Sequence, residues 1–161
     1  MYIPLDKLAY TFNQKPLLIG GKAMEYYDLR KSGEDIDVMA TEEDVINLIK
    51  IYPTRVKDLW GDLGVCPLEF EIWKTIRLFD YYFYSENSIE TENYLIISLE
   101  KLLFMKTLAI EEAKYLDDVK LITHKLASNQ RELYKKIAAQ NKHILERIEN
   151  LIYLEKEEPQ S

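Results

Sequence analysis

The sequence predicts an α+β (α/β) fold, a small mixed β-sheet core followed by a helical C-terminal bundle. Three observations carry that prediction. The first half alternates short apolar runs with helical stretches, whereas the last sixty or so residues read almost entirely as helix. A composition of 47% hydrophobic and 30% charged residues over 161 positions suits a single chain with a real core. No internal repeat or low-complexity linker interrupts it. Residues 1–97 are expected to form the core and 98–161 a helical region packed on it.

The elements follow in order. LDKLAYTF (5–12) reads as a short opening helix, and KPLLIG (15–20), entered by a proline and closed by glycine, as a buried strand. KAMEYYDLR (22–30) has helical composition, KSGE (31–34) is a turn, and DIDVMA (35–40) alternates as a strand does, with Asp35 and Asp37 on one face. Thr41 and Asp44 have capping-box spacing ahead of VINLIKIY, a helix that Pro53 ends.

Residues 54–76 look like a hairpin around a turn that bears Gly61 and Gly64, with Glu69 and Glu71 on one face of its second arm. RLFDYYFYSEN (77–87) fits helix or strand, and ENYLIIS (92–98) reads as a strand. Ser98 can cap a helix over 99–113. A second helix is expected over 114–127 and a long third from Ser128 to about Glu155. In that third helix Ile137, Ile144 and Leu151 recur every seven residues, with Ile148 and Ile152 alongside.

Bulk properties exclude several function classes. A net charge of -7 and a pI near 5.0 argue against a duplex-DNA binder, which needs a basic face to displace counterions. The lone Cys66 rules out an internal disulfide, no Cys/His cluster suggests zinc, and a reducing cytoplasm is the expected location. The start MYIPLDKLAY lacks the features of a signal peptide, and no apolar window is long enough to span a membrane.

The chemistry-bearing stretch is LLIGGKAMEYYDLRKSGEDIDVMAT (17–41). Gly20 and Gly21 after a buried strand let backbone approach a ligand closely. Asp35 and Asp37, two residues apart on a strand, bring two carboxylates to one face, an arrangement that repels itself unless divalent cations neutralise it. A third carboxylate from a neighbouring strand, Glu69 or Glu71, would complete such a site.

This run resembles the signature of the nucleotidyltransferase superfamily with the DNA polymerase β-like palm fold: a strand, Gly-Gly or Gly-Ser, a helix, then Asp-x-Asp on the next strand. Within it, the run looks most like the AbiEii and MenT-type toxin nucleotidyltransferases, whose basic residue and serine before the Asp-x-Asp match Arg30 and Ser32. Their downstream helix lysine and aspartate match Lys106 and Asp118. The resemblance covers roughly residues 17–122.

It implies a nucleotidyltransferase core and transfer of a nucleoside monophosphate, or a nucleotide unit, from an NTP such as ATP to an acceptor, with release of pyrophosphate. The acceptor would be a tRNA end, a protein or a small molecule. Asp35 and Asp37 would hold Mg²⁺ or Mn²⁺, with Glu69 or Glu71 completing the metal site or acting as base. Gly20, Gly21 and Lys22 would meet the triphosphate, Lys106 would neutralise phosphate charge, and Asp118 would position it or the acceptor. The resemblance also implies a toxin setting, with an antitoxin protein as partner.

Other readings stand beside this one. Lys106 and Asp118 can simply pair with each other. The fold can serve as a catalytically inactive module that binds a nucleotide or a protein. The heptad-like C-terminal helix can support a homodimer.

Overall fold

A computed structural model describes residues 1–59, 61–143 and 146–147. The chain divides into two compact units, Met1–Thr123 and His124–Ser161. The first is mixed α+β and holds a seven-stranded sheet in the order β3 (Val56–Leu59), β4 (Asp62–Val65), β5 (Phe70–Trp73), β2 (Ile36–Met39), β1 (Leu17–Leu18), β9 (Leu95–Ile96), β8 (Ile89–Glu90).

Its centre is built from β1 (Leu17–Leu18), β2 (Ile36–Met39) and β5 (Phe70–Trp73). β1 runs antiparallel to β2, and β2 parallel to β5. Strand alternation sends Leu18, Ile36, Val38, Phe70 and Ile72 into one core with Val45, Leu48 and Ile96. Leu17 and Met39, paired in register, are buried on the opposite face. That second face also carries Asp37 and Glu71, because each lies one residue out of phase with its core neighbours.

Helix α1 (Gly20–Tyr26) follows β1 directly, so both glycines belong to its first turn. Thr41 caps α2 (Glu42–Ile51) as the spacing implies, its hydroxyl oxygen accepting from the Asp44 N–H. Asp44 is fully buried and is satisfied by the Tyr10 hydroxyl at 2.8 Å, the Asn13 N–H at 2.9 Å and the Thr41 hydroxyl at 2.7 Å. That carboxylate staples the N-terminal segment to α2. The opening segment is only a 3-10 turn, Leu5–Leu8, which Ala9 ends in the left-handed region at φ 48°.

The expected hairpin is instead a three-stranded meander: β3 (Val56–Leu59), β4 (Asp62–Val65) and β5. Gly61, at φ 95°, serves the first turn, but Gly64 lies within β4. A Cβ on Gly64 would stand 2.6 Å from the Trp73 ring, so that glycine lets the indole lie across its strand. Residues 77–87 prove to be strand and then helix. A second, two-stranded sheet joins β6 (Thr75–Ile76) to β7 (Phe79–Asp80), and Asp80 caps α3 (Tyr81–Ser85). The edge strand β8 (Ile89–Glu90) pairs with β9 (Leu95–Ile96), which runs parallel to β1.

Ser98 caps α4 (Leu99–Thr107), and that helix stops six residues before the expected end at 113. Turns over 108–112 reverse the chain into α5 (Ala113–Gln140), one continuous helix where two were expected. In the second unit the rest of α5 exposes Leu133, Tyr134 and Ile137. Ile144, Ile148, Leu151 and Ile152 lie outside the described residues. No helix among the described residues is long and apolar enough to cross a membrane.

Candidate functional site

Within the first unit a cleft of about 1010 Å³ opens over the second face of the sheet. Its floor takes Asp37 from β2 and Glu71 from β5, which are direct register partners on adjacent parallel strands. Asp35, immediately before β2, is exposed and also lines the cleft. The walls come from Lys57 and Leu59 of β3, Asp62, Trp73, the β6–β7 hairpin, and the α4–α5 corner with Lys106, Lys114 and Tyr115.

Gly20 has the closest approach in the site. It sits at φ 60°, and a Cβ there would stand 2.0 Å from Asp37 Oδ2. Glycine at this position therefore lets the carboxylate rest on the first turn of α1, where it accepts from the Gly21 N–H. Gly21 is less constrained: its added Cβ would meet Ser32 Cβ at 3.5 Å, an ordinary contact.

Burial pushes the Asp37 carboxyl above its usual range, and the charges of Glu71 and Asp35 push it the same way. The Gly21 hydrogen bond and Lys106 only partly offset them. Glu71 is held by Lys57 at 3.0 Å, and Lys57 in turn lies 5.4 Å from the Trp73 ring centroid.

Lys106, Asp118 and Arg30 form a brace beside the cleft. Lys106 Nζ lies 3.0 Å from Asp118 Oδ2, while Arg30 grips the same carboxylate through Nε at 2.5 Å and Nη2 at 2.9 Å. Burial alone would raise the Asp118 carboxyl, but hydrogen bonds from Arg30 and Lys106, and their charges, hold it below its ordinary value. Only Lys106 of this trio lines the cleft. It also lies 4.6 Å from the Tyr115 ring centroid.

The remaining candidates lie apart. Glu69 precedes β5 and pairs with Lys7 at 2.6 Å. Leu68, at φ 52°, turns the chain just before it, so Glu69 does not share the face of Glu71. Ser32 donates to Glu25, whose carboxyl falls to about 2, first through that bond and then through one from Lys31. Lys22 lies on the first turn of α1, outside the cleft lining.

Sequence reasoning did not pick out Lys57, Trp73, Arg77 or Tyr115. Of these, Trp73 had a readable signal: a glycine inside an alternating run, Gly64, marks close approach by a neighbour.

The donor set fits a hard divalent cation, since Asp35, Asp37 and Glu71 all offer carboxylate oxygens to one cleft. Among the described residues no three His, Cys, Asp or Glu side chains stand together as a ready metal cluster. The Lys57–Glu71 pair is consistent with that, because it draws one of the three donors to a lysine.

No protein-family model, curated protein or solved structure matches this chain.

Proposed function

We propose that the chain is a Mg²⁺- or Mn²⁺-dependent nucleotidyltransferase, moving a nucleoside monophosphate or nucleotide unit from an NTP to an acceptor. The observation that carries this reading is the in-register pair Asp37 and Glu71 on the floor of a large cleft, with Asp35 beside them. The order β1, Gly20-Gly21, α1, β2 supports it, being that of the signature the sequence resembles.

In the reaction an acceptor oxygen bonds to the α-phosphorus, the α–β phosphoanhydride breaks, and pyrophosphate leaves. Asp35, Asp37 and Glu71 would hold the cation, which when bound supplies charge neutralisation to the phosphates. Glu71 is in this reading the cleft carboxylate that takes the acceptor's proton. Lys106, fixed by Asp118, adds positive charge at the α4–α5 wall. Arg30 and Asp118 act as positioning residues. The same reading carries the toxin setting, with a tRNA end, a protein or a small molecule as acceptor and an antitoxin protein as partner.

The test incubates the full chain with each labelled NTP, Mg²⁺ or Mn²⁺, and total tRNA and protein extract, beside Asp35→Ala/Asp37→Ala. Label passed on by the wild type alone, to RNA or to protein, is the expected result. A folded wild type that transfers nothing with any metal or NTP overturns it.

One observation favours a second reading, a catalytically inactive binding module of the same fold: Glu71 is already neutralised by Lys57. Such a module would be stabilised by an NTP yet release no pyrophosphate.

A further inference from the structure

The β6–β7 hairpin turns on two residues alone, Arg77 and Leu78, with φ 51° and 67°. A two-residue loop with both residues left-handed is ordinarily made by Asn-Gly or Asp-Gly, which adopt that region cheaply. Here two long side chains occupy it, so the turn is strained, and the surrounding structure must hold it.

Asp62 of β4 provides the hold. Its carboxylate accepts from the Arg77 N–H at 2.6 Å, the Leu78 N–H at 2.9 Å and the Thr75 hydroxyl at 2.9 Å. The side chains presented by this strained tip both line the cleft, and Leu78 is 73% exposed there.

Among the four cations that line the cleft, Arg77 stands apart. Lys57 is paired with Glu71, Lys106 with Asp118 and Lys114 with Glu112. Among the described residues no carboxylate stands within ion-pair distance of the Arg77 guanidinium, Asp62 holding only the backbone N–H. An incoming anion can therefore engage Arg77 without breaking an internal pair, and a guanidinium matches phosphate oxygens in two-point geometry.

We propose that the Arg77–Leu78 tip is a phosphate-recognition element: Arg77 grips an oligophosphate, and Leu78 packs on the apolar body of the molecule that carries it. This goes beyond the transfer reaction and stands without it, since a module that binds without catalysis would use the tip in the same way.

The experiment is calorimetric titration of the full chain, in magnesium, with inorganic tripolyphosphate and with ATP. The variants are Arg77→Gln, Arg77→Lys and Leu78→Asn, the last chosen because asparagine tolerates the left-handed region. Melting curves establish that each variant is folded. Arg77→Gln is expected to weaken both ligands by about tenfold or more, and Arg77→Lys to recover part of the loss.

If a nucleotide is the carrier, ATP binds wild type more tightly than tripolyphosphate and Leu78→Asn removes the difference. Equal affinities assign the tip to oligophosphate alone. Unchanged binding by folded Arg77→Gln, or a wild type that binds neither ligand, overturns the proposal. The readout is binding, so absence of pyrophosphate release would sink the transferase reading and leave this one intact.

Discussion

Two aspartates in the same unit have opposite surroundings. Asp118 is almost fully buried and enclosed by cations, with Arg30 and Lys106 satisfying both of its oxygens. Asp37 faces Glu71 across a strand pair, has Asp35 two residues away, and gains only a backbone N–H and the more distant charge of Lys106. One carboxyl is held below its ordinary value and the other above it. The difference teaches how to sort buried acids: a compensated one is part of the scaffold, whereas an under-compensated one is a place where a cation would add stability.

The largest expected effect comes from breaking the compensated side. Asp118→Ala leaves Lys106 buried without its partner and frees Arg30, and should cost about 3 kcal/mol, toward the low end for a buried pair because Arg30 is partly exposed. Chemical denaturation measures it, and a loss under about 1 kcal/mol would remove the brace from the account of this fold. The contribution of Asp118 is complete above its unfolded titration range and is lost as the pH falls through its lower folded value.

Gly20→Ala should come next, at about 2 kcal/mol, since it combines a left-handed φ with a Cβ 2.0 Å from the Asp37 carboxylate. Gly21→Ala, with only ordinary contact at 3.5 Å, should change stability by less than about 1 kcal/mol in either direction. Equal effects from the two substitutions would contradict the carboxylate's seat on α1.

The smallest effect sharpens the under-compensated side. The folded state holds the Asp37 proton more tightly than the unfolded chain does. Stability therefore falls as the pH rises from the unfolded to the folded titration range, and the cost persists at neutral pH. Asp37→Asn should melt above wild type at neutral pH without metal, with the gap closing in acid. Added Mg²⁺ should raise the melting temperature of the wild type and leave the variant unmoved. A variant that melts below wild type throughout would show that neither burial nor its acidic neighbours make the Asp37 carboxylate costly.

The cleft floor was partly legible because strand alternation is a local rule. Asp37 follows the alternation of β2, with Asp35 just outside that strand, and the glycine pair announces a tight junction between β1 and α1. The same rule could not choose between Glu69 and Glu71. That choice rests on Leu68, whose left-handed backbone takes Glu69 out of the strand and toward Lys7.

By itself the sequence determined the caps at Thr41 and Ser98, the core face of β2 and β5, and the placement of Asp37 opposite that core. Each follows from the nearest few residues, through hydrogen bonds or side-chain period. Only the tertiary structure decided which charges meet. On one uninterrupted helix Lys106 and Asp118 would be about 18 Å apart along the axis. The reversal at 108–112 instead brings them to 3.0 Å, onto an arginine 88 residues from that aspartate in the chain. Ion pairs of that span depend on how elements fold back on one another, and no local pattern encodes them.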